Sequence, residues 1–375
     1  MSHFYTLLTN SYTLLFLSII IAYYLVTKII PAIIYLSKSK NLMDVPCERS
    51  GHIKVTPTLG GIGIFIAFAL STICFGLLSG AENYDMTTLL ALMAGVIILL
   101  FLGIKDDLLV LSPAKKVSGQ LVASALLVLS TDIRIYNFEG LFGIGELSSI
   151  FSILFTIFVF IFIINSFNLT DGIDGLAASI AVLSSVVFGI FFLVNGNFTM
   201  GAISFVLVSC LMSFLRFNLS PTQKIFMGDS GSMFIGFILA VQGIALIHMD
   251  QLGEATYAVN NLPILVLSTL AFPILDTTRV FLIRLKQGRS PFSADRNHIH
   301  HRLLDLGLSH KTATFAIGNV NLFIIISTLF IDSFQLNINI QLLLLIIIAP
   351  TFYLFPFMIQ LKKGRIRFIR PRLIS

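Results

Sequence analysis

The sequence predicts an all-α polytopic membrane protein with about eleven transmembrane helices. Hydrophobic residues fill 56% of the 375 positions and charged residues only 11%, whereas a soluble domain carries about 25% charged residues. The apolar residues form separate runs of about 20 residues, the length that a helix needs to cross a bilayer. Basic residues concentrate in alternate loops between those runs, as they do in multi-pass proteins. The composition excludes both a water-soluble globule and a disordered chain.

The apolar runs predict the spans in chain order, with polar loops between them. They cover 12–36, 60–79, 86–103, 117–131, 150–164, 176–195, 198–216, 231–249, 262–283, 313–331 and 340–360. A signal peptide begins with basic residues, whereas no Lys or Arg precedes Lys28 in this sequence. The first run is therefore predicted to be a retained span. A turn-rich segment near 132–146 predicts a small β-hairpin. The chain 1–375 is predicted to form a single domain.

Basic residues orient the helices, because loops rich in Lys and Arg stay on the cytoplasmic side of a membrane. With the N-terminus outside, nearly all Lys and Arg lie inside, and only Arg134 falls in an outer loop. The inner segments are then 37–59, 104–116, 165–175, 217–230, 284–312 and 361–375. The C-terminus is therefore predicted to be cytoplasmic and the hairpin extracytoplasmic. The basic tail 361–375 is predicted to anchor the protein to anionic lipid headgroups.

Acidic residues are scarce, and most aspartates fall on the predicted inner side. Separate inner segments therefore carry polar groups to one membrane face, where a helix bundle can gather them into one pocket. The first cluster is Asp106-Asp107, followed by Lys115 and Lys116. Adjacent carboxylates repel one another, so they favour a nearby cation or a shared proton. A divalent metal, a substrate lysine, a proton-transfer role and a solvated helix end are all compatible with the pair.

Two further clusters offer oxygen donors. The second cluster has Asn or Asp at every third position, namely Asn165, Asn168, Asp171 and Asp174. Its members share a helical edge, and intervening glycines let a ligand approach the backbone. Hard oxygen donors of this kind suit Mg²⁺ held together with phosphates, although a loop that only caps the next helix has the same composition. The third cluster places Asp229 at the start of an apolar run, where an N-cap and a metal ligand are equally compatible.

The fourth cluster lies in the longest inner loop and has three histidines within four positions. It runs from Asp295 to Leu303 and includes His298, His300, His301 and Arg302. Imidazoles this close do not easily ligate one zinc ion, whereas His and Arg donors fit a diphosphate; a solvated basic loop is the alternative. Asp276 and Arg279 lie three positions apart on the ninth predicted span and share a helix face. They predict a local ion pair or a border of the same pocket.

Together these motifs resemble those of the polyprenyl-phosphate N-acetylhexosamine-1-phosphate transferases of bacterial membranes, enzymes of the glycosyltransferase family 4 type. The matching residues are Asp44-Val45-Pro46, Arg49, His52, Pro57, Gly60-Gly61, Asp106-Asp107, Asn165–Gly175, Gly228-Asp229-Ser230, Asp276, Arg279 and His298–Arg302. They follow the family's order. The histidine cluster resembles the undecaprenyl-phosphate N-acetylglucosamine-1-phosphate transferase branch. It departs from the muramoyl-pentapeptide branch, which has three consecutive histidines after a proline.

The resemblance implies a phosphoglycosyl transferase that moves N-acetylglucosamine 1-phosphate from UDP-N-acetylglucosamine to undecaprenyl phosphate and releases UMP. It implies Mg²⁺ as the cofactor, with Mn²⁺ as a substitute. It also implies a multi-pass protein of the bacterial inner membrane whose active site faces the cytoplasm. The product would start a lipid-linked envelope glycan, which is an O-antigen, a common antigen or a teichoic acid. Nucleic acid is not an expected partner, and a homodimer is left open.

The resemblance further implies roles for single residues. The catalytic set would be Asp106, Asp107 and Asp171. Asp229 and Asn168 would hold Mg²⁺, and Asp174 would accept hydrogen bonds from uracil. Asp106 would be the base that deprotonates the lipid phosphate, with Asp107 as its orienting neighbour. The other residues expected to bind nucleotide or substrate are Asn165, Lys115, Lys116, His52, His298, His300, His301, Arg302 and Arg279.

Other functions stay open at this point. A phospho-N-acetylmuramoyl-pentapeptide transferase, or an enzyme with another UDP-N-acetylhexosamine donor, would keep the same chemistry. A secondary transporter would also have many spans, but transporters place their ionisable residues near the midplane of the membrane, whereas here they gather at one face. An inactive scaffold is a third alternative, and the intact aspartate clusters argue against it.

Overall fold

The computed structural model describes residues 10–44, 55–80, 83–257, 259–293, 295–362 and 365–368. It confirms an all-α polytopic membrane protein. Among the described residues, nine helices are long and apolar enough to cross a membrane, and a bent pair of helices would make a tenth span. Each of the eleven predicted runs contains helical residues. The apolar runs of the sequence therefore located the helices.

The helices are numbered here in chain order. They are α1 Ser11–Ser39, α2 Gly60–Leu78, α3 Asn83–Leu109, α4 Pro113–Thr131, α5 Ser149–Thr170, α6 Leu176–Val194, α7 Phe198–Asn218, α8 Asp229–Gln251, α9 Leu262–Thr269, α10 Ala271–Lys286, α11 Ile299–Asp305, α12 His310–Asp332 and α13 Ile338–Leu354. Four of them begin at a polar side chain that accepts a main-chain N–H of the first turn, which satisfies a donor that the helix leaves free. The capping residues are Asn10, Asn197, Ser309 and Asn337.

The fourth and ninth predicted spans differ from simple apolar helices. Helix α4 forms, but it carries Lys116 and Gln120 and is not among the nine helices apolar enough to cross a membrane. The ninth span is broken into α9 and α10, which meet at 72°. Pro273 lies in the first turn of α10 and has no N–H to donate back across the break. Asn321 compensates, because its amide donates to Thr269 O at 2.9 Å.

Strands are short in the described part of the chain. Strand β1 (Met43–Asp44) pairs antiparallel with β2 (Thr56–Pro57), and β3 (Ile359–Lys362) pairs antiparallel with β4 (Arg365–Phe368). The segment predicted as an outer hairpin has one antiparallel bridge, between Asn137 and Glu146, which encloses a 3₁₀ turn. Its glycine-rich sequence supports a tight turn rather than two extended strands.

Helix α8 forms the centre of the bundle. Every residue from Ser230 to Met249 is buried, and the helix packs mainly against α3 and α5. The helix is apolar on all sides, as expected for a helix enclosed by others. Its first residue, Asp229, therefore lies in the middle of the predicted cytoplasmic face.

Candidate active site

A cavity of about 620 Å³ opens around the start of α8. The chemically active side chains that line it are Asp106, Asp107, Asp171, Asp174, Asp229, His301 and His310. They come from the end of α3, the loop after α5, the start of α8, helix α11 and the start of α12. The structure thus brings residues from four of the predicted inner segments to one concave surface.

The turn that starts α8 is held by a carboxylate from another helix. Asp107 accepts the main-chain N–H of Asp229 at 2.8 Å and that of Ser230 at 3.0 Å. Gly228 precedes the helix with φ of +73°, and a Cβ there would lie 2.7 Å from Asp107 Oδ2. Only glycine combines this backbone conformation with this approach. Asp107 therefore acts as a helix cap that fixes the position of Asp229.

Lys116 joins the two other carboxylates at this end of the cavity. Its Nζ lies 2.8 Å from Asp229 Oδ2 and also forms an ion pair with Asp106 Oδ2. The other oxygen of Asp106 accepts the N–H of Leu111 at 2.6 Å. Adjacent residues Asp106 and Asp107 thus have different partners, and a shared cation relieves the repulsion between Asp106 and Asp229. Lys115, the neighbouring lysine, is exposed.

The two asparagines in the last turns of α5 have different partners. Asn168 donates through Nδ2 to Asp229 Oδ1 at 2.9 Å and to Ser232 Oγ at 2.8 Å, so it contacts the acid at the start of α8. Asn165 instead forms a reciprocal amide pair with Gln120 of α4. That pair connects α4 and α5, and Asn165, like Asn168, does not itself line the cavity.

The Asp171 carboxyl group lies among other acids. Burial, followed by the nearby carboxylates of Asp229 and Asp107, raises the pKa of Asp171 to about 7. Each cause disfavours a further negative charge at this end of the cavity. The acidic wall formed by Asp106, Asp107, Asp171 and Asp229 is therefore poised to bind a cation.

Asp174 is the centre of a second polar cluster at this cavity, and the sequence did not single out its two partners. Asp174 Oδ2 lies 2.6 Å from Lys224 Nζ and 3.0 Å from His310 Nδ1. Burial raises the pKa of Asp174, but hydrogen bonds from His310 and Lys224 outweigh it and hold that pKa below its ordinary value. Lys224 is the lone basic residue of segment 217–230, and His310 is the first residue of α12. These positions were the only signals in the sequence that could have indicated Lys224 and His310 as site residues.

The histidine motif, defined as His298, His300 and His301, is docked between α10 and the cavity. His298 Nδ1 lies 2.8 Å from Asp276 Oδ2, and the N–H of Ile299 donates to Asp276 Oδ1 at 2.9 Å. His300 stacks on His298 with ring centroids 5.4 Å apart. His301 lines the cavity. Asp276 is therefore paired with the motif. The predicted local ion pair between Asp276 and Arg279 is not among the contacts of the described residues, so that alternative was wrong.

Burial disfavours the charged form of two rings of the motif, His300 and His301. It lowers the pKa of His300 to about 3 and also lowers the pKa of His301. Within the described residues, the Nδ1 atoms of both rings are buried without a hydrogen-bond partner. Polar atoms of Asp276, His298 and His300 lie within 4.8 Å of one another, close enough to surround a metal ion. Both oxygens of Asp276, however, already accept hydrogen bonds.

The two arginines of the predicted site, Arg279 and Arg302, donate hydrogen bonds to main-chain carbonyl groups. Arg279 donates to Asn297 O at 2.5 Å, and its guanidinium lies 3.9 Å from the centroid of the Phe357 ring. Arg302 donates to the carbonyls of Pro356 and Ile359. Neither lines the cavity. The structure thus places both between the histidine loop and the end of the last helix, where they stabilise that loop.

Part of the predicted site lies outside the described residues. This part comprises His52 and, from the motif that resembles the family, Val45, Pro46 and Arg49. Their roles stay predictions. The neighbouring residues Asn41, Met43 and Thr58 do line the cavity, so the two ends of this segment flank it.

Comparison with known proteins gives one consistent family. The model of glycosyl transferase family 4 matches residues 89–247, which include the acidic wall. Over 312 residues the chain is 30% identical to a probable undecaprenyl-phosphate N-acetylglucosaminyl 1-phosphate transferase of Bacillus subtilis, and the match covers 82% of each chain.

Two other relatives have related names. A decaprenyl-phosphate N-acetylglucosaminephosphotransferase of Mycolicibacterium smegmatis is 32% identical over 289 residues, with 72% of this chain and 71% of the relative covered. An undecaprenyl-phosphate alpha-N-acetylglucosaminyl 1-phosphate transferase of Escherichia coli is 27% identical over 281 residues, with 74% and 73% covered. All three names describe transfer to a polyprenyl phosphate.

Proposed function

The chain belongs to the polyprenyl-phosphate N-acetylglucosamine-1-phosphate transferases of glycosyl transferase family 4, and we propose that its donor is UDP-N-acetylglucosamine and its acceptor undecaprenyl phosphate. The products are UMP and a lipid-linked N-acetylglucosamine diphosphate. This product would start a cell-envelope glycan, such as an O-antigen, a common antigen or a teichoic acid. The observation that supports this most strongly is the cavity at the start of α8, which gathers the acidic wall together with Asp174, whose partners are Lys224 and His310.

The acidic wall fits Mg²⁺. It supplies hard carboxylate oxygens, the ligands that this ion prefers in company with substrate phosphates. We assign Asp229 as the principal protein ligand, because Asp107 and Lys116 fix its position. Asn168 donates its amide N–H to Asp229 here, so it becomes a ligand only if the amide turns to present oxygen. When bound, Mg²⁺ would neutralise charge on the transferring phosphoryl group.

The chain's own residues would bring the two phosphates together. The acceptor oxygen attacks the phosphorus that carries the sugar, and the bond to UMP breaks. Lys116 lies between Asp106 and Asp229 and offers the positive charge that an approaching phosphate needs. Asp106 is the candidate base, but a phosphate monoester has a second pKa of about 6. At neutral pH the acceptor is therefore largely deprotonated, and the main contribution of Asp106 would be to position Lys116.

The cluster of Asp174, Lys224 and His310 would bind the donor. Asp174 is an acceptor flanked by two donors, Lys224 and His310, and such a set is suited to a nucleotide. His301 reaches the same cavity from the histidine motif and would contact the diphosphate or the sugar. The active site would then face the cytoplasm, where UDP-sugars are made, in agreement with the orientation that the basic loops predict.

The proposal is tested with full-length protein purified in detergent, undecaprenyl phosphate and Mg²⁺. UDP-N-acetylglucosamine should give UMP and lipid-linked product, and EDTA should abolish both until Mg²⁺ or Mn²⁺ is restored. Asp229→Asn should remove this activity, whereas Asp250→Asn, at the other end of the same helix, should retain it. Turnover with UDP-N-acetylmuramoyl-pentapeptide instead would overturn the donor. No turnover with either donor, in a folded preparation, would overturn the proposed reaction.

A further inference from the structure

We propose that Asp276 is a positioning residue that holds the histidine motif in one orientation against the cavity. The inference rests on the proposed function for its kinetic consequence, but its structural part stands alone. Asp276 does not line the cavity and would not touch substrate. It would act through His298 and the main chain at the start of α11.

The first observation is that one carboxylate holds two different groups. Asp276 is 2% exposed, and both of its oxygens are occupied, one by the His298 ring and one by the N–H of Ile299. A buried carboxylate is stable only when its lone pairs are satisfied. The side chain thus ties both the imidazole and the backbone of α11 to α10, and rotation of either group would leave one oxygen of the buried acid unpaired.

The second observation concerns the tautomer of His298. When Nδ1 donates to Asp276, a neutral imidazole must leave Nε2 as a hydrogen-bond acceptor. A carboxylate behind a histidine therefore determines which nitrogen carries the proton, as it does for histidines that ligate metals or act in catalysis. Asp276 fixes this choice for the first ring of the motif.

The third observation is a continuous set of contacts from Asp276 to the cavity. His300 stacks on His298 at 16° between ring planes. His301 follows, with its centroid 4.4 Å from that of His300, and it lines the cavity. Across the motif, His300 packs on Gly172 of the loop after α5. A rotation of His298 would therefore displace the ring that faces the substrate.

A metal ion is the main competing interpretation of the same residues. Their polar atoms lie within 4.8 Å of one another, and zinc favours histidine and carboxylate ligands. It would have to replace the hydrogen bonds that Asp276 already makes to His298 and Ile299. A directly hydrogen-bonded pair accounts for both bonds without an ion, so we favour it.

The decisive variant is Asp276→Asn, which keeps the shape of the side chain. Its amide oxygen still accepts from Ile299, but its NH₂ now faces His298 Nδ1 and requires the opposite tautomer. We expect kcat to fall by about 10- to 100-fold, as for other residues that orient a functional histidine, while the KM for undecaprenyl phosphate stays unchanged. Asp305→Asn is the matched control, because Asp305 is exposed at the other end of α11; it should keep the wild-type kcat.

Nitrogen NMR of protein labelled with ¹⁵N-histidine reports the tautomer directly. His298, assigned by its loss in His298→Asn, should be protonated at Nδ1 in the wild type and at Nε2 in Asp276→Asn. The same tautomer in both proteins would overturn the inference. So would an unchanged kcat in Asp276→Asn, or stoichiometric binding of Co²⁺ that requires both Asp276 and His300. If the wild type proved inactive with every donor, the proposed function would fail while the NMR result still decided the role of Asp276.

Discussion

Replacing Gly172 by alanine tests how the histidine motif meets the loop after α5. Gly172 does not have a positive φ, so its backbone conformation accepts alanine. The added Cβ would nevertheless lie 2.8 Å from His300 Cε1 and 3.0 Å from Cδ2, and closer still to Nε2. Real Cβ contacts are rarely this short. His300 cannot swing away freely, because it is 1% exposed and is packed between His298 and His301.

The size of the effect follows from the packing. Forcing one extra methyl group into a filled site typically costs about 1–3 kcal/mol. If the displaced motif loses this energy in the transition state, kcat/KM falls by about 5- to 160-fold, since about 1.36 kcal/mol corresponds to a factor of ten. If the folded state bears the cost, the melting temperature falls instead.

The assay measures kcat/KM for UDP-N-acetylglucosamine and the melting temperature of the same preparation in detergent. Gly318→Ala is the matched control, because it lies within α12 and its Cβ would meet nothing within 4 Å. It should leave both quantities at the wild-type value or raise the stability slightly. A Gly172→Ala enzyme with wild-type kcat/KM and melting temperature would refute the docking of His300 on this loop.

Three further predictions follow from single contacts. Lys224→Gln should raise the KM for the donor by about tenfold, the loss expected for one charge-assisted hydrogen bond, whereas Lys311→Gln, exposed beside His310, should not. Asp295→Asn should lower the melting temperature at neutral pH; since Arg284 helps to hold the pKa of Asp295 at about 2, below its unfolded value, this difference should shrink as pH falls from about 4 toward 2. Asn321→Ala should destabilise by about 1–3 kcal/mol in thermal unfolding, because it removes the amide that donates to Thr269 O and the oxygen that accepts from the buried Tyr353 hydroxyl, while Asn319→Ala, exposed on the same helix, should be neutral.

The fold was accessible from the sequence because apolar runs of about 20 residues indicate membrane-spanning helices directly. The break in the ninth span was not, since it depends on an amide from Asn321 that lies 52 positions after Thr269. Helix α4 was predicted as a span from its apolar second half, yet Lys116 and Gln120 in its first half serve the site and a helix pair. Local composition does not distinguish a polar residue that faces water from one that serves a partner inside the protein.

The sequence predicted those site residues that occur in short motifs of acidic or basic side chains. Asp106, Asp107, Asp171 and Asp229 converge as their positions on the inner side suggested. The sequence did not predict the different structural role of each aspartate. Asp107, for example, caps the helix that begins at Asp229, 122 positions later in the chain. The Lys224 contact to Asp174 spans 50 positions and joins two loops that share no pattern. Such pairings are set by the packing of helices and leave no period in the sequence.

The most direct test of the central claim follows the phosphorus that carries the sugar. UDP-N-acetylglucosamine labelled with ³²P at that phosphorus is incubated with the full-length enzyme, Mg²⁺ and undecaprenyl phosphate, and the label and the nucleotide product are measured together. Sugar 1-phosphate transfer predicts that the label enters the lipid in amounts equal to the UMP released, and that Asp229→Asn abolishes both. Release of labelled UDP, with unlabelled sugar on the lipid, would contradict the account.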